Sequence, residues 1–408
     1  MEKQAIFHEI EHLKTEMTNT LMQLINVPAV APENGGTGEN PKAEKLMEIL
    51  ANAGFDSIER WDAEDSRISG GKRPNIIAYC NGESEAQKIW IITHLDVVPA
   101  GEESLWTVTK PFEALLKDNR VYGRGSEDNN QSLVASLFAV KALKNLGVTP
   151  KRTVALAFVS DEEQGSKFGI QHLIRKGLFG KQDLVVVPDG GSENGDFIEI
   201  AEKSLLWFRI RTIGKQTHGS LPNKGLNAHR IGMQVALALD ERLHEKYSQS
   251  DAYFDVPIST FEPTKKELNV EAVNIVPGED VVYFDCRVLP NYDLEEVIAE
   301  IRKILAEFEQ KTGATITLEL VQKQPAPKLV DGNAQIVTLL KDAVKEARGL
   351  NSRVGGIGGG TCAAFFRKAG IPAVVWSTVD EVAHQPNEYA KVENMVADAK
   401  VFALLAVM

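Results

Sequence analysis

The feature that most constrains this chain is a set of short apolar runs, rich in valine and isoleucine, that recur between long helical patterns. Asn75 to Cys80, Lys88 to Thr93, Thr153 to Ser160, Leu184 to Val187 and Ala373 to Trp376 are such runs. Strands that are apolar throughout, rather than alternating with polar residues, are buried on both faces, as in a mostly parallel sheet. Ala43 to Gly54 ahead of them, and Gln131 to Leu146 and Ser166 to Gly177 between them, carry apolar residues at helical spacing. Strand-helix alternation of this kind predicts an α/β sandwich.

The middle of the chain follows a different order: a strand over Leu205 to Ile213, a helix over Asn227 to Leu243, strands near Val270 to Val276 and Val281 to Val288, a helix over Leu294 to Thr312 and a strand over Thr315 to Val321. That order predicts an α+β module of ferredoxin-like type. After Pro325-Ala326-Pro327 the α/β pattern returns. With 408 residues, two domains are expected. The boundaries predicted are 1–202 for the first part of the α/β domain, 203–323 for the inserted domain and 324–408 for its second part.

A formal net charge of -12, with no lysine or arginine stripe, argues against nucleic acid as a partner. Cys80, Cys286 and Cys362 form no CxxC pair, so neither a disulfide framework nor a thiolate zinc site is expected. No run of about 18 apolar residues marks a membrane span, and no apolar signal core follows Met1, so a cytoplasmic location is expected.

In an open α/β sheet, ligands bind beyond the carboxyl ends of the strands. Here His94-Leu95-Asp96 follows one predicted strand, Asp161-Glu162-Glu163 a second and Pro188-Asp189 a third, and His384 lies a short loop beyond a fourth. Asp128 joins them from the turn-rich Tyr122-Gly123-Arg124-Gly125-Ser126-Glu127-Asp128. Taken singly, a strand-end histidine or an acid pair reads as ordinary loop chemistry, as do His8, His12, His172 and His244 in polar helical contexts. Their coincidence at four strand ends carries the inference. Asp128, Glu162, Glu163 and Asp189 sum to -4, which two divalent ions would balance. Imidazole and carboxylate without thiolate suit a catalytic zinc site, with manganese or cobalt as substitutes. Asp96 is expected to orient the His94 ring rather than to bind metal.

These residues resemble the zinc-dependent aminoacylase, carboxypeptidase and dipeptidase family, which includes acetylornithine deacetylase and succinyl-diaminopimelate desuccinylase. The resemblance is carried in order by Thr93-His94-Leu95-Asp96-Val97-Val98-Pro99-Ala100-Gly101, Tyr122-Gly123-Arg124-Gly125 ahead of Asp128, Ser160-Asp161-Glu162-Glu163 and His384-Gln385-Pro386-Asn387-Glu388. It implies that Asp128 bridges two metals, that His94 and Asp189 complete one site and Glu163 and His384 the other, and that Glu162 is the general base. It further implies an inserted lid domain carrying a subunit contact for a homodimer, His218 as an oxyanion stabiliser, and Asn274, Arg287, Gly360 and Thr361 as substrate contacts. Arg287 would hold a substrate carboxylate through its fork of donors.

Two departures touch the substrate side: Cys362 stands where many members have an acid, and Asn129-Asn130-Gln131 replaces a lysine-glycine run. Members acting on peptides tend to have aspartate at the position of Asp189, and N-deacylases glutamate. The expectation is therefore a dipeptidase or short-peptide hydrolase whose substrate has a free carboxylate, the alternatives being an N-acyl-amino-acid deacylase and a non-catalytic metal-binding protein.

Overall fold

The computed structural model describes residues 2–408. They form two compact units: 2–200 with 329–354 and 361–408, and 201–328 with 355–360. The second unit thus interrupts the first, and it also takes in Gly355–Gly360, which the sequence boundaries leave in the α/β domain.

The first unit is built on a sheet whose strands lie in the order Ser57–Arg60, Ile76–Cys80, Arg152–Val159, Ser84–His94, Leu184–Val187, Ala373–Val375, Phe197–Glu202, Arg353–Ile357. The four strands from Arg152–Val159 to Ala373–Val375 are mutually parallel. Antiparallel strands flank them on both sides, Ile76–Cys80 on Arg152–Val159 and Phe197–Glu202 on Ala373–Val375. Both faces of this sheet are dry, and side chains alternate between two cores along every central strand. Ile91, Leu156, Val186 and Val374 point to one core, whereas Trp90, Ala155, Val185 and Val375 point to the other. The first core is closed by the helices Ser132–Leu146 and Val392–Val407 among others, and the second by Ile170–Arg175 and Ala363–Lys368. This is the α/β sandwich that continuous apolar runs require.

The helix predicted over Ser166 to Gly177 is shorter, Ile170–Arg175. Ser166 sits in the left-handed region at φ 59, outside helical geometry, and Gly177 closes the far end at φ 74.

The second unit is a four-stranded antiparallel sheet in the order Thr260–Lys266, Glu279–Val288, Ser204–Ile213, Thr315–Gln324. The helices Ala228–Lys246 and Leu294–Thr312 pack against it around Phe208, Phe261 and Phe284. Asn227 and Asp293 cap these helices, accepting from the amides of Arg230 and Glu295 at 2.9 and 2.7 Å. In chain order the unit reads β-α-β-β-α-β, as predicted for a ferredoxin-like module.

One of its strands lies elsewhere in the chain than the sequence pattern predicts. The segment Val270 to Val276 is mostly loop, with Val273 fully exposed, and only Ile275–Val276 pairs, with Thr217–His218. The second strand is instead Thr260–Lys266, whose buried apolar residue is Phe261 and which contains Pro263. A proline is tolerated there because the strand is at the sheet edge, and the register shifts just after it.

Candidate active site

The parallel strands end at one sheet edge, and the polar residues at their ends meet there. His94 is the last residue of its strand, Glu162 and Glu163 follow Arg152–Val159, and Asp189 follows Leu184–Val187. His384 arrives on the loop after Ala373–Val375 with φ 63, and Asp161, just before Glu162, has φ 69. Left-handed conformations at non-glycine residues are uncommon and cluster at functional sites. Asp128 comes from a distorted turn, Ser126–Gln131, that leads into the helix Ser132–Leu146, and its peptide bond to Asn129 is cis.

The Asp128 carboxylate faces both histidines. Its Oδ1 lies 2.8 Å from His94 Nε2 and its Oδ2 lies 3.0 Å from His384 Nε2. Glu163 Oε1 is 3.1 Å from the same His384 nitrogen, and Asp189 Oδ1 is 3.5 Å from His94 Nε2. Donor atoms converge in two groups, His94 with Glu162 and Asp189, and Asp128 with Glu163 and His384, each within 4.8 Å. The first group does not contain Asp128, yet Asp128 makes the shortest contact to His94, so its two oxygens join the groups.

A metal fits this donor set. His94 Nδ1 lies 2.9 Å from the Asp96 carbonyl oxygen, which can only accept, so Nδ1 carries a proton. In a neutral ring Nε2 would then turn a lone pair toward the Asp128 and Asp189 oxygens. Two electron-rich atoms at 2.8 Å repel unless a cation stands between them or a second proton is held. The directions of proton affinity express the same unbalanced charge. Burial, then the charges of Asp189 and Glu163, push the Glu162 carboxyl well above the usual range. Burial, followed by Asp128, raises Glu163 to about 7. Hydrogen bonds to Asp128 and Glu163 raise His384 to about 10. Burial opposes the ionised form of Asp128, yet the hydrogen bonds from His384 and His94 hold that carboxyl below its ordinary range. Groups that would bind extra protons in this way can bind divalent cations instead.

The orienting role expected of the Asp96 side chain is divided differently. The main-chain oxygen of Asp96 holds the His94 ring, and the side-chain Oδ1 is farther from it, at 3.6 Å. The carboxylate accepts the amides of Glu162 and Glu163 at 3.1 and 3.0 Å, so it caps the turn that presents both acids. Asp96→Asn removes one of these acceptors. It is expected to lower kcat about 10–100-fold, the usual cost of losing a group that supports metal ligands, checked by steady-state kinetics beside metal content.

The departure at Asn129 also acquires a role, since its Nδ2 donates to Pro188 O at 2.8 Å and to Asp189 Oδ1 at 3.0 Å. In the sequence Asn129 stands out only as a departure from the family pattern, and Glu127 and Glu388 carry no mark of a role. Both acids lie inside quoted motifs, and burial is the signal that distinguishes them, with Glu127 5% and Glu388 0% exposed.

Four of the remaining predicted residues belong to the second unit and one to the first. His218 and Asn274 are exposed in the second unit, where His218 Nδ1 pairs with Ser220 Oγ at 2.8 Å and Asn274 O accepts the Gly219 amide at 2.7 Å. Arg287, in the same unit, donates Nε and one terminal nitrogen to Asp285 at 2.6 and 2.8 Å and the other to Gly358 O at 3.0 Å. Gly360 is exposed at the end of the second unit. Thr361 belongs to the first unit, its Oγ1 accepting the Ala363 amide at 3.2 Å. Cys362 is buried beside the short helix Ala363–Lys368.

An α/β sandwich that gathers two imidazoles and four carboxylates at one sheet edge has the build of a metal-dependent hydrolase. Residues 90–407 match the model of peptidase family M20/M25/M40. The chain is 41% identical over 398 residues to an uncharacterized metallohydrolase of Methanocaldococcus jannaschii, covering 93% of this chain and 96% of that one. It is 28% identical over 384 residues to a succinyl-diaminopimelate desuccinylase of Nitratiruptor, covering 93% and 96%. The structure of the di-peptidase Dug1p from Saccharomyces cerevisiae shares the fold with a TM-score of 0.76 at 18% identity, covering 99% of this chain and 98% of that one. This chain belongs to peptidase family M20/M25/M40 and is a metallohydrolase of it. Among the described residues, no helix is long and apolar enough to cross a membrane.

Proposed function

We propose that this chain hydrolyses the amide bond of a dipeptide or short peptide, with two divalent ions held by His94, Asp128 and Asp189 and by Asp128, Glu163 and His384. The observation that carries the reading is the division of the Asp128 carboxylate, one oxygen toward each histidine. When bound, such ions, zinc first and manganese or cobalt in its place, would polarise the scissile carbonyl and lower the pKa of a shared water. Glu162 takes the proton of the attacking water on its carboxylate and delivers it to the leaving nitrogen, so the products are an amine and a carboxylic acid. Asp96 keeps Glu162 and Glu163 in place through their amides. His218, Asn274, Arg287, Gly360 and Thr361 contact the substrate in this reading, and a cytoplasmic location completes it.

Aspartate at position 189 favours peptides over N-acyl amino acids, and Asn129 supports that shorter acid by donating to it. The second reading, an N-acyl-amino-acid deacylase, is favoured by the desuccinylase relatives, such as that of Nitratiruptor, which aligns with 93% of the chain. A panel of dipeptides, N-acetyl and N-succinyl amino acids, assayed by amine release with zinc, manganese or cobalt added, decides between them. Dipeptides are expected to turn over with kcat/KM at least about tenfold above the acylated set, a discrimination that about 1.4 kcal/mol of transition-state binding supplies. Turnover confined to acylated substrates would reverse the choice.

A further inference from the structure

The geometry points to Glu127 and Glu388 as a reciprocal clasp that positions Asp128 against His384. Each acid sits beside one of these residues in the chain and reaches across to hold the loop of the other. Glu388, four residues after His384, accepts the amides of Gly125, Glu127 and Asp128 at 3.0, 3.0 and 3.1 Å. Glu127, next to Asp128, accepts the amides of Asp380, Val382 and Ala383, the last two at 2.7 and 3.0 Å, on the segment that leads into His384. Arg124 donates to Glu388 Oε2 at 2.7 Å and, at longer range, to the carbonyls of Gln385 and His384.

The physical case rests on what these loops lack. Neither segment is in a sheet ladder or a regular helix, so its amides lack the partners that regular structure supplies, and six of them are met by side chains. A carboxylate can accept several N–H bonds at once, and such charge-assisted bonds are about twice as strong as neutral ones. Six amides are satisfied by two side chains, and each carboxylate depends on the backbone that carries the other. A displacement of either loop therefore strains both sets of bonds. The distance this arrangement sets is the one between Asp128 Oδ2 and His384 Nε2, 3.0 Å. Glu127 and Glu388 touch no substrate in this account; they are positioning residues.

The inference rests on the metal site proposed above, and the test separates the two. Glu127→Gln and Glu388→Gln keep the side-chain shape but replace one acceptor oxygen by an NH2 that faces amide donors. In the full-length protein, Zn2+ titration by calorimetry is expected to show the second equivalent weakened about 10–100-fold and the first changed less than about threefold. Amide hydrogen exchange on the metal-free protein reads the clasp without any ion. Glu127→Gln is expected to speed exchange both at Asp380, Val382 and Ala383 and at Gly125 and Asp128, which only Glu388 touches. Exchange that rises only in the segment held by the mutated acid, or zinc binding unchanged in both equivalents while the metal-free melting temperature falls, would overturn the proposal. If the wild-type chain binds no zinc, the metal reading fails, whereas the exchange experiment still judges the clasp. Should Glu388→Gln not fold, Glu127→Gln alone carries both readouts.

Discussion

Glu162→Gln is expected to lower kcat by about 10²–10⁴, the span that a positioned general acid-base contributes, while the protein keeps two metal ions. The substitution preserves shape and removes only the ability to take a proton. It also resolves an ambiguity in the site, because Glu162 stands with His94 and Asp189 among the converging donor atoms. If Glu162 were a ligand rather than the base, the variant would lose an ion, and kcat would recover as zinc is raised. Metal analysis beside kinetics at increasing zinc separates the two, and near-normal turnover would remove Glu162 from the chemistry.

Asp128→Ala is expected to have the widest effect, because it takes away the oxygens that face both histidines. Both ions should be lost at micromolar zinc and turnover should fall to background. His384→Ala, by contrast, should keep the ion at His94 and Asp189. The loss also appears in stability. A ligand present at about a hundred times its Kd stabilises the native state by about 2.7 kcal/mol, so zinc should raise the melting temperature of the wild type and leave that of Asp128→Ala unmoved. A variant that still binds two equivalents would show that Asp128 does not join the sites.

Much of this site was legible because chain order and sheet geometry coincide at strand ends. Once Lys88 to Thr93, Thr153 to Ser160 and Leu184 to Val187 read as parallel strands, their carboxyl ends must share an edge, so His94, Glu162, Glu163 and Asp189 are neighbours without any knowledge of distances. His384 lies on the short loop after a fourth run, Ala373 to Trp376, and Asp128 comes from a turn-rich segment rather than from a strand end. The misplaced strand shows where local pattern misleads. Val270 to Val276 is apolar enough to read as a strand, but Thr260–Lys266 occupies the edge with one buried apolar side chain, because an edge strand buries one face and leaves the other to solvent.

What the amino-acid order determined by itself was the class of fold, the inserted module and the set of metal-ligand types, since these depend on periodicity and on which residues end each strand. What only the tertiary structure decided was how those residues are held. The Asp96 side chain serves the amides of Glu162 and Glu163 more than the ring of His94, and Glu388 holds the amide of Asp128 across 260 positions of sequence. Periodicity carries no trace of such bonds. They form because loop amides outside regular structure must find acceptors, and which carboxylate answers is decided by how the folded chain brings distant loops together.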